Sequence, residues 1–181
     1  MAGVKNDDYE GAIKLIVFEI SDIYRRIKHN LDLEKLSEDD RNIIESMSTG
    51  IDEYKALTAI KMLSGILSRY YGKKVILLLD EYDTPMIEAY FSGYWDKMVK
   101  FMRTFFNNSL KSNHYIEKAI LTGITRVSKE SMLSDMNNLY AASITTRRYE
   151  TAFGFTEAEV FAALDHAKLG NYKKRVKKWY D

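Results

Sequence analysis

An unbroken run of five aliphatic residues, 75–79, limits the folds open to this chain more than any other segment. A run of this length predicts a strand buried on both faces, as in a parallel sheet with helices on its two sides. The run leads directly into Asp80 and Glu81, and Asp83 follows two positions later. Open α/β sheets bind ligands at the carboxyl ends of their strands, so these carboxylates are candidate functional residues.

An aliphatic strand followed by Asp and Glu matches the Walker B pattern of P-loop nucleotidases. In such a site Asp80 would help to hold Mg²⁺ and Glu81 would polarise the attacking water. The complementary motif, G-x-x-x-x-G-K-[ST], provides backbone N–H groups and a lysine that bind the phosphates, and the 181 residues do not contain it. The sequence therefore predicts the hydrolytic half of a nucleotide site without its phosphate-binding half. The alternative is an acidic, solvated turn.

A second group of polar residues follows the next predicted strand, and it comprises Thr122, Thr125 and Arg126. In ATPases of the AAA and related classes, a polar residue at this place senses the γ-phosphate. An arginine can stabilise charge on a transferring phosphoryl group. We therefore predict that Thr122 and Thr125 contact the nucleotide and that Arg126 is a catalytic sensor. The simpler interpretation is a threonine-rich strand end with an exposed arginine.

Composition excludes several classes of protein. The chain has no cysteine, which rules out disulfides, thiolate metal sites and cysteine nucleophiles. It has no apolar stretch of about 18 residues and no signal-peptide core at its N-terminus, so we expect a cytoplasmic protein without a membrane partner. The net charge of +1 gives no general argument for nucleic-acid binding. The basic segment 173–178, followed by Trp179, is either a solvated helix face or a nucleic-acid contact.

Apolar periodicity predicts a helix-rich chain. The predicted helices cover 9–30, 37–47, 52–70, part of 85–91, 94–111 and 156–169. Strands are predicted at 75–79 and 116–124, with 144–153 either irregular or a third strand. Thr156 and Glu159 form a capping box at the start of the last helix, and Gly170 is predicted as its C-cap. The buried stripe of helix 52–70 is predicted at Tyr54, Leu57, Ile60, Leu63, Leu67 and Tyr70. The predicted fold class is α/β: a partial three-layer α/β/α core of the P-loop NTPase type, with a Walker B strand and a sensor strand.

Five segments together resemble the AAA-ATPase-like family. Their sequences are LLLDEYDTP (77–85), LKSN (110–113), LTGITRVSKES (121–131), NNL (137–139) and FGFTEAEV (153–160). The order and spacing of these segments match the family over nearly the whole chain. The resemblance implies that Asp80 binds Mg²⁺, Glu81 activates water and Arg126 is a sensor.

In that family a P-loop segment precedes this region, and a restriction-endonuclease-like domain often follows it. The resemblance therefore implies that residues 1–181 form a single AAA-ATPase-like domain truncated at both ends, with its Walker A part upstream. The intact protein would bind and hydrolyse ATP with Mg²⁺, whereas this chain would be inactive and bind neither tightly. Expected partners are a second copy of the chain and, in the full-length protein, nucleic acid or a nuclease-like domain. The alternative function is a non-catalytic interaction or regulatory module.

Overall fold

The computed structural model describes residues 3–124, 139–143, 146–147, 151–152 and 154–180. The chain forms two compact units, Met1–Asn137 and Asn138–Asp181. The described part of the first unit is mainly helical, with one small sheet. Its helices and strands are α1 (Tyr9–Asn30), α2 (Glu38–Thr49), α3 (Glu53–Tyr71), β1 (Val75–Leu79), α4 (Thr84–Phe91), α5 (Trp95–Leu110) and β2 (Ile116–Leu121), and a short 3-10 helix (Leu33–Lys35) lies between α1 and α2.

The helices of the first unit begin and end where the sequence predicts, within two residues. Asp8, Ser37 and Asp52 are N-caps whose side chains accept hydrogen bonds from backbone N–H groups in the first turns of α1, α2 and α3. These bonds satisfy donors that the start of a helix leaves without a helical partner. Gly72 ends α3 with a left-handed backbone, φ +63°, which glycine adopts without steric cost. Local capping chemistry thus marks the starts of α1, α2 and α3 and the end of α3.

The core of the first unit lies between its helices. Helix α3 packs against α1 and α5, α1 packs against α2, and α4 packs against α5. The Tyr24 hydroxyl in α1 donates a buried hydrogen bond of 2.7 Å to the Ala59 carbonyl in α3. The largest apolar side chains that are fully buried are Ile16, Tyr24, Ile44, Ile66, Met86, Met98, Met102 and Phe106.

The predicted buried stripe of α3 is wrong except at Leu63. Tyr54 is exposed, and the remaining large residues of that stripe are only half-buried. The helix instead buries Ala56, Ala59, Leu63 and Ile66. Small side chains at a helix interface let neighbouring backbones approach closely, and periodicity weighted towards large apolar residues overlooks them.

The sheet of the first unit is parallel, which makes this a helix-rich α/β structure. Leu77, Leu78 and Leu79 pair with Ala119, Ile120 and Leu121, respectively. The second strand is shorter than predicted and ends at Leu121 rather than at residue 124. Further strands and a three-layer P-loop core stay predictions, because the candidate third strand at 144–153 lies mostly outside the described residues.

The prediction that strand 75–79 is buried on both faces is wrong. Ile76 and Leu78 are 57% and 70% exposed, and Ile120, the partner of Leu78, is 47% exposed. The alternate residues of β1 are half-buried, and β1 contacts α3. Among the residues that the structure describes, helices thus shield one face of the sheet only. The other face, which we call the open face, consists of Ile76, Leu78, Lys118 and Ile120.

The second unit contains α6 (Glu157–His166), a 3-10 turn (Gly170–Tyr172) and α7 (Lys173–Tyr180). The predicted capping box is confirmed, because Thr156 and Glu159 each bond to the other's backbone N–H. The predicted end of the helix at residue 169, capped by Gly170, is wrong. Lys168 takes the left-handed conformation, φ +59°, and the Leu169 N–H donates to the Leu164 carbonyl. This backbone reversal closes the helix before Gly170.

Candidate functional site

The tips of the two parallel strands lie at the same edge of the sheet, and main-chain bonds extend their pairing beyond β1 and β2. The Thr122 N–H donates to the Leu79 carbonyl at 3.0 Å, and the Tyr82 N–H donates to the Thr122 carbonyl, also at 3.0 Å. These bonds bring the residues after β1 next to the residues after β2. Of the predicted site residues, Asp80, Glu81 and Thr122 therefore meet at one edge.

The closest side-chain contact at this edge joins Asp80 and Thr122. The Thr122 hydroxyl donates a hydrogen bond to Oδ1 of Asp80. The Glu81 backbone N–H donates to the same oxygen at 3.1 Å. Both residues are exposed, and these two hydrogen bonds hold the Asp80 carboxylate in a set orientation.

Glu81 has a strained backbone. Its φ is +50°, in the left-handed region that costs a non-glycine residue about 1–2 kcal/mol. Oε2 of its carboxylate lies 3.4 Å from the Thr84 hydroxyl, which donates to it from the first turn of α4. Strain of this kind concentrates at functional sites, where the surrounding structure holds a side chain in a set direction. Here the strain and Thr84 together orient the carboxylate that follows Asp80.

Asp83, the third carboxylate of the turn, has a different environment. Its side chain is 1% exposed, and it lies against Gly123. A Cβ atom at position 123 would lie 2.6 Å from Oδ1 of Asp83 and 2.7 Å from its Cγ. The close approach therefore requires glycine directly after Thr122. Sequence reasoning missed Gly123, although a glycine immediately after a strand-end threonine was a visible signal.

The turn that carries the carboxylates rests on the helical core. The Tyr82 ring meets the Phe106 ring of α5 edge to face, with 6.2 Å between centroids. Phe106 is fully buried and also contacts Phe105 edge to face. An aromatic anchor of this kind stabilises the turn by contact energy as well as by burial. Tyr82 thus links the candidate site to the core.

Two of the predicted site residues, Thr125 and Arg126, lie outside the described residues. Among residues that the structure describes, no group of three or more His, Cys, Asp or Glu side chains could hold a metal ion. One exposed carboxylate beside a hydroxyl is too little for a metal site made of protein alone. The Asp80 carboxylate beside the Thr122 hydroxyl fits Mg²⁺, because this ion keeps several water ligands and takes others from substrate phosphates.

The model of a family described as Predicted AAA-ATPase matches residues 7–133, a range that contains all five predicted site residues. An uncharacterized protein in the vnfD 5′ region of Azotobacter chroococcum mcd 1 is 28% identical over 111 residues, which make up 61% of this chain and 21% of that protein. The chain thus spans about a fifth of the length of that relative.

No solved structure matches the chain. None of the helices in the described ranges is both long and apolar enough to cross a membrane. The family match covers more than half of the sequence and includes both strands with their tips. The chain therefore belongs to the AAA-ATPase-like family.

Proposed function

We propose that the edge formed by Asp80, Glu81 and Thr122 is the hydrolytic part of an ATP site. The observation that carries this proposal is the hydrogen bond between Thr122 and Asp80 across two parallel strand tips, beside a strained glutamate. Strand tips of open α/β sheets are where such folds bind ligands. Membership of the AAA-ATPase-like family supports a nucleoside triphosphate as that ligand.

Each residue has a chemical role in this proposal. Asp80 would hold Mg²⁺, directly or through water, and the ion would neutralise charge on the phosphates. Glu81 accepts a proton from the water that attacks the γ-phosphorus, while the bond to the leaving ADP oxygen breaks. Thr122 orients Asp80 and donates to it. Thr125 and Arg126 are proposed to contact the γ-phosphate and to stabilise its charge.

The phosphate-binding part of the site is not provided by a recognisable motif in these 181 residues. Each charge-assisted hydrogen bond to a phosphate contributes roughly 1.5–3 kcal/mol, and a micromolar ligand binds with about 8 kcal/mol. We therefore expect the chain by itself to bind Mg-ATP too weakly to detect at micromolar concentration. Titration calorimetry that gives a micromolar Kd would contradict this expectation.

The assignment of roles is testable in a protein that joins this chain to a phosphate-binding loop. Glu81→Gln should leave ATP binding within about threefold and lower kcat by at least about a hundredfold, because the amide keeps the shape but accepts no proton. Asp80→Ala should weaken the Mg²⁺-dependent part of binding as well. Glu117→Gln is the matched control, since Glu117 is exposed near the other end of β2. Equal turnover of Glu81→Gln and the unsubstituted protein would refute the assignment.

A non-catalytic interaction module is the second candidate. The open face favours it, because Ile76, Leu78 and Ile120 expose apolar surface beside one another. In that case Asp80 and Glu81 would have only structural roles. Turnover measurements on Glu81→Gln separate the two candidates, since an interaction module has no turnover to lose.

A further inference from the structure

Helix α7 carries a dense group of cations that the proposed ATP site does not use. Two of them are neutralised within the second unit, Lys173 by Asp165 at 2.5 Å and Lys177 by Glu157 at 2.9 Å. In the part of the chain that the structure describes, Lys174, Arg175 and Lys178 form no ion pair with a carboxylate. These last three cations therefore have no role in holding the unit together by charge.

The three unpaired cations share one side of the helix with an aromatic ring. At 100° per residue, positions 174, 178, 175 and 179 fall within an arc of about 140°. Lys173 and Val176, on the other side, are half-buried. Trp179 is 82% exposed. We call the set of Lys174, Arg175, Lys178 and Trp179 the basic-aromatic face.

We propose that the basic-aromatic face binds single-stranded nucleic acid. Proteins that bind single strands combine cations that follow the phosphates with aromatic rings on which bases stack. The basic-aromatic face supplies both, since Trp179 lies one helical turn from Arg175 and next to Lys178 in the chain. Because a stacked ring needs an unpaired base, the exposed indole favours a single strand over a duplex.

An anionic membrane surface is a weaker fit to the same residues. Helices that lie in a membrane interface present a broad apolar face opposite their cations. In α7 the exposed ring sits among the cations, and Val176 is half-buried in the unit. The apolar area free to enter a bilayer is therefore small.

The test follows binding through the fluorescence of Trp179. The chain has two tryptophans, so Trp95→Phe leaves Trp179 as the sole source of tryptophan fluorescence. Titration of this variant with a short oligothymidylate should quench Trp179. Three phosphate contacts predict a slope of log K against log salt of about −2 for a single strand.

Variants that replace lysine with uncharged glutamine then locate the contact. Lys174→Gln with Lys178→Gln should weaken binding about tenfold and reduce the salt slope to about −0.7, as expected for one remaining contact. Lys73→Gln with Lys74→Gln changes the net charge equally at exposed lysines of the first unit and should leave both values unchanged. Equal weakening by the two pairs would overturn the proposal, because it would show only a general effect of charge.

Two further outcomes would also overturn it. One is a duplex of the same length that binds as tightly as the single strand while Trp179 is not quenched. The other is a blue shift of Trp179 with vesicles of phosphatidylserine and phosphatidylcholine, together with no response to the oligonucleotide. Both experiments use the full chain, and neither depends on ATP hydrolysis.

Discussion

The helical layer and the sheet of the first unit differ in how well they bury their apolar residues. Met98, Met102 and Phe106 on α5 are inaccessible to solvent or nearly so. In contrast, no residue of β1 or β2 is fully buried, although β1 consists entirely of aliphatic residues. The large apolar residues of α5 recur at helical spacing and show which face that helix buries, whereas the same rule misplaced the buried stripe of α3. The burial of a strand depends on elements that are distant in sequence. An apolar run therefore shows that both faces of the strand are apolar, but it does not show which face is covered.

The largest expected difference in stability is between a side-chain truncation in the helical layer and one in the sheet. Phe106→Ala should lower the free energy of unfolding by about 3–5 kcal/mol, because it leaves a cavity in the core and removes the ring that supports Tyr82. Leu78→Ala should cost less than about 1 kcal/mol, because most of its side chain is already in water. Urea unfolding of both variants measures the difference. Similar losses would show that the open face is covered in solution.

A substitution at the tip of the sheet tests whether this end is as tightly packed as the helical core. Gly123→Ala places a methyl group 2.6 Å from the Asp83 carboxylate, and such overpacking should cost about 1–3 kcal/mol. Gly3→Ala adds the same methyl at an ordinary contact distance of 3.5 Å and is the matched control. Thermal unfolding of the two variants gives the result. Equal melting temperatures would mean that the strand tip accommodates the added methyl group without loss of stability.

Within the helical layer, an ion pair between α2 and α3 provides a test by pH. Asp40 is almost fully buried and accepts two hydrogen bonds from Arg69, at 3.0 and 2.5 Å. Those bonds hold the pKa of Asp40 below its ordinary value. Because Arg69 is half-exposed, solvent screening limits the loss in Asp40→Asn to about 1–2 kcal/mol at neutral pH.

The sign of the pH dependence follows from the lowered pKa. The folded state binds the Asp40 proton less tightly than the unfolded state, so the contribution of the pair is complete above the ordinary aspartate pKa of about 3.9. It disappears as the pH falls through the lower folded value. The stability gap between the natural chain and Asp40→Asn should therefore narrow below about pH 4. Asp39→Asn, at the neighbouring exposed position of α2, should show a smaller gap, and a gap that widens in acid would contradict the assignment.

The smallest expected change in stability comes from placing a charge on the open face. We expect the natural chain to self-associate at micromolar concentration, because the apolar open face, and strand edges that no other described strand covers, favour pairing with another copy. Leu78→Glu should reduce this association and alter the free energy of unfolding by less than about 1 kcal/mol. Tyr54→Glu places the same charge at an exposed position on α3 and should leave association unchanged. Light scattering that finds the natural chain monomeric would refute the expectation.

The sequence predicted the helices well because their signals are local. Caps such as Ser37 and Asp52 and the apolar periodicity of each helix lie within the helix itself or next to it. The small buried residues Ala56 and Ala59 were missed, because their burial depends on how the neighbouring helices pack.

For the candidate site, the sequence predicted which residues lie at the two strand tips. Parallel strands place their carboxyl ends together, so the proximity of Asp80 and Thr122 follows from a correct strand assignment. The roles of Gly123 and Thr84 depend on distances between the strand tips and α4, which no spacing rule provides. Thr125 and Arg126 stay predictions.

The left-handed backbone of Glu81 has a consequence for protein engineering. Glycine adopts φ +50° without steric penalty, so replacing Glu81 with glycine should relieve about 1 kcal/mol of strain. A laboratory selection for heat resistance alone would therefore favour the loss of this carboxylate. If Glu81 has the proposed catalytic role, heat resistance and catalysis make opposite demands on position 81, and selection for thermostability without a functional screen would remove the proposed site.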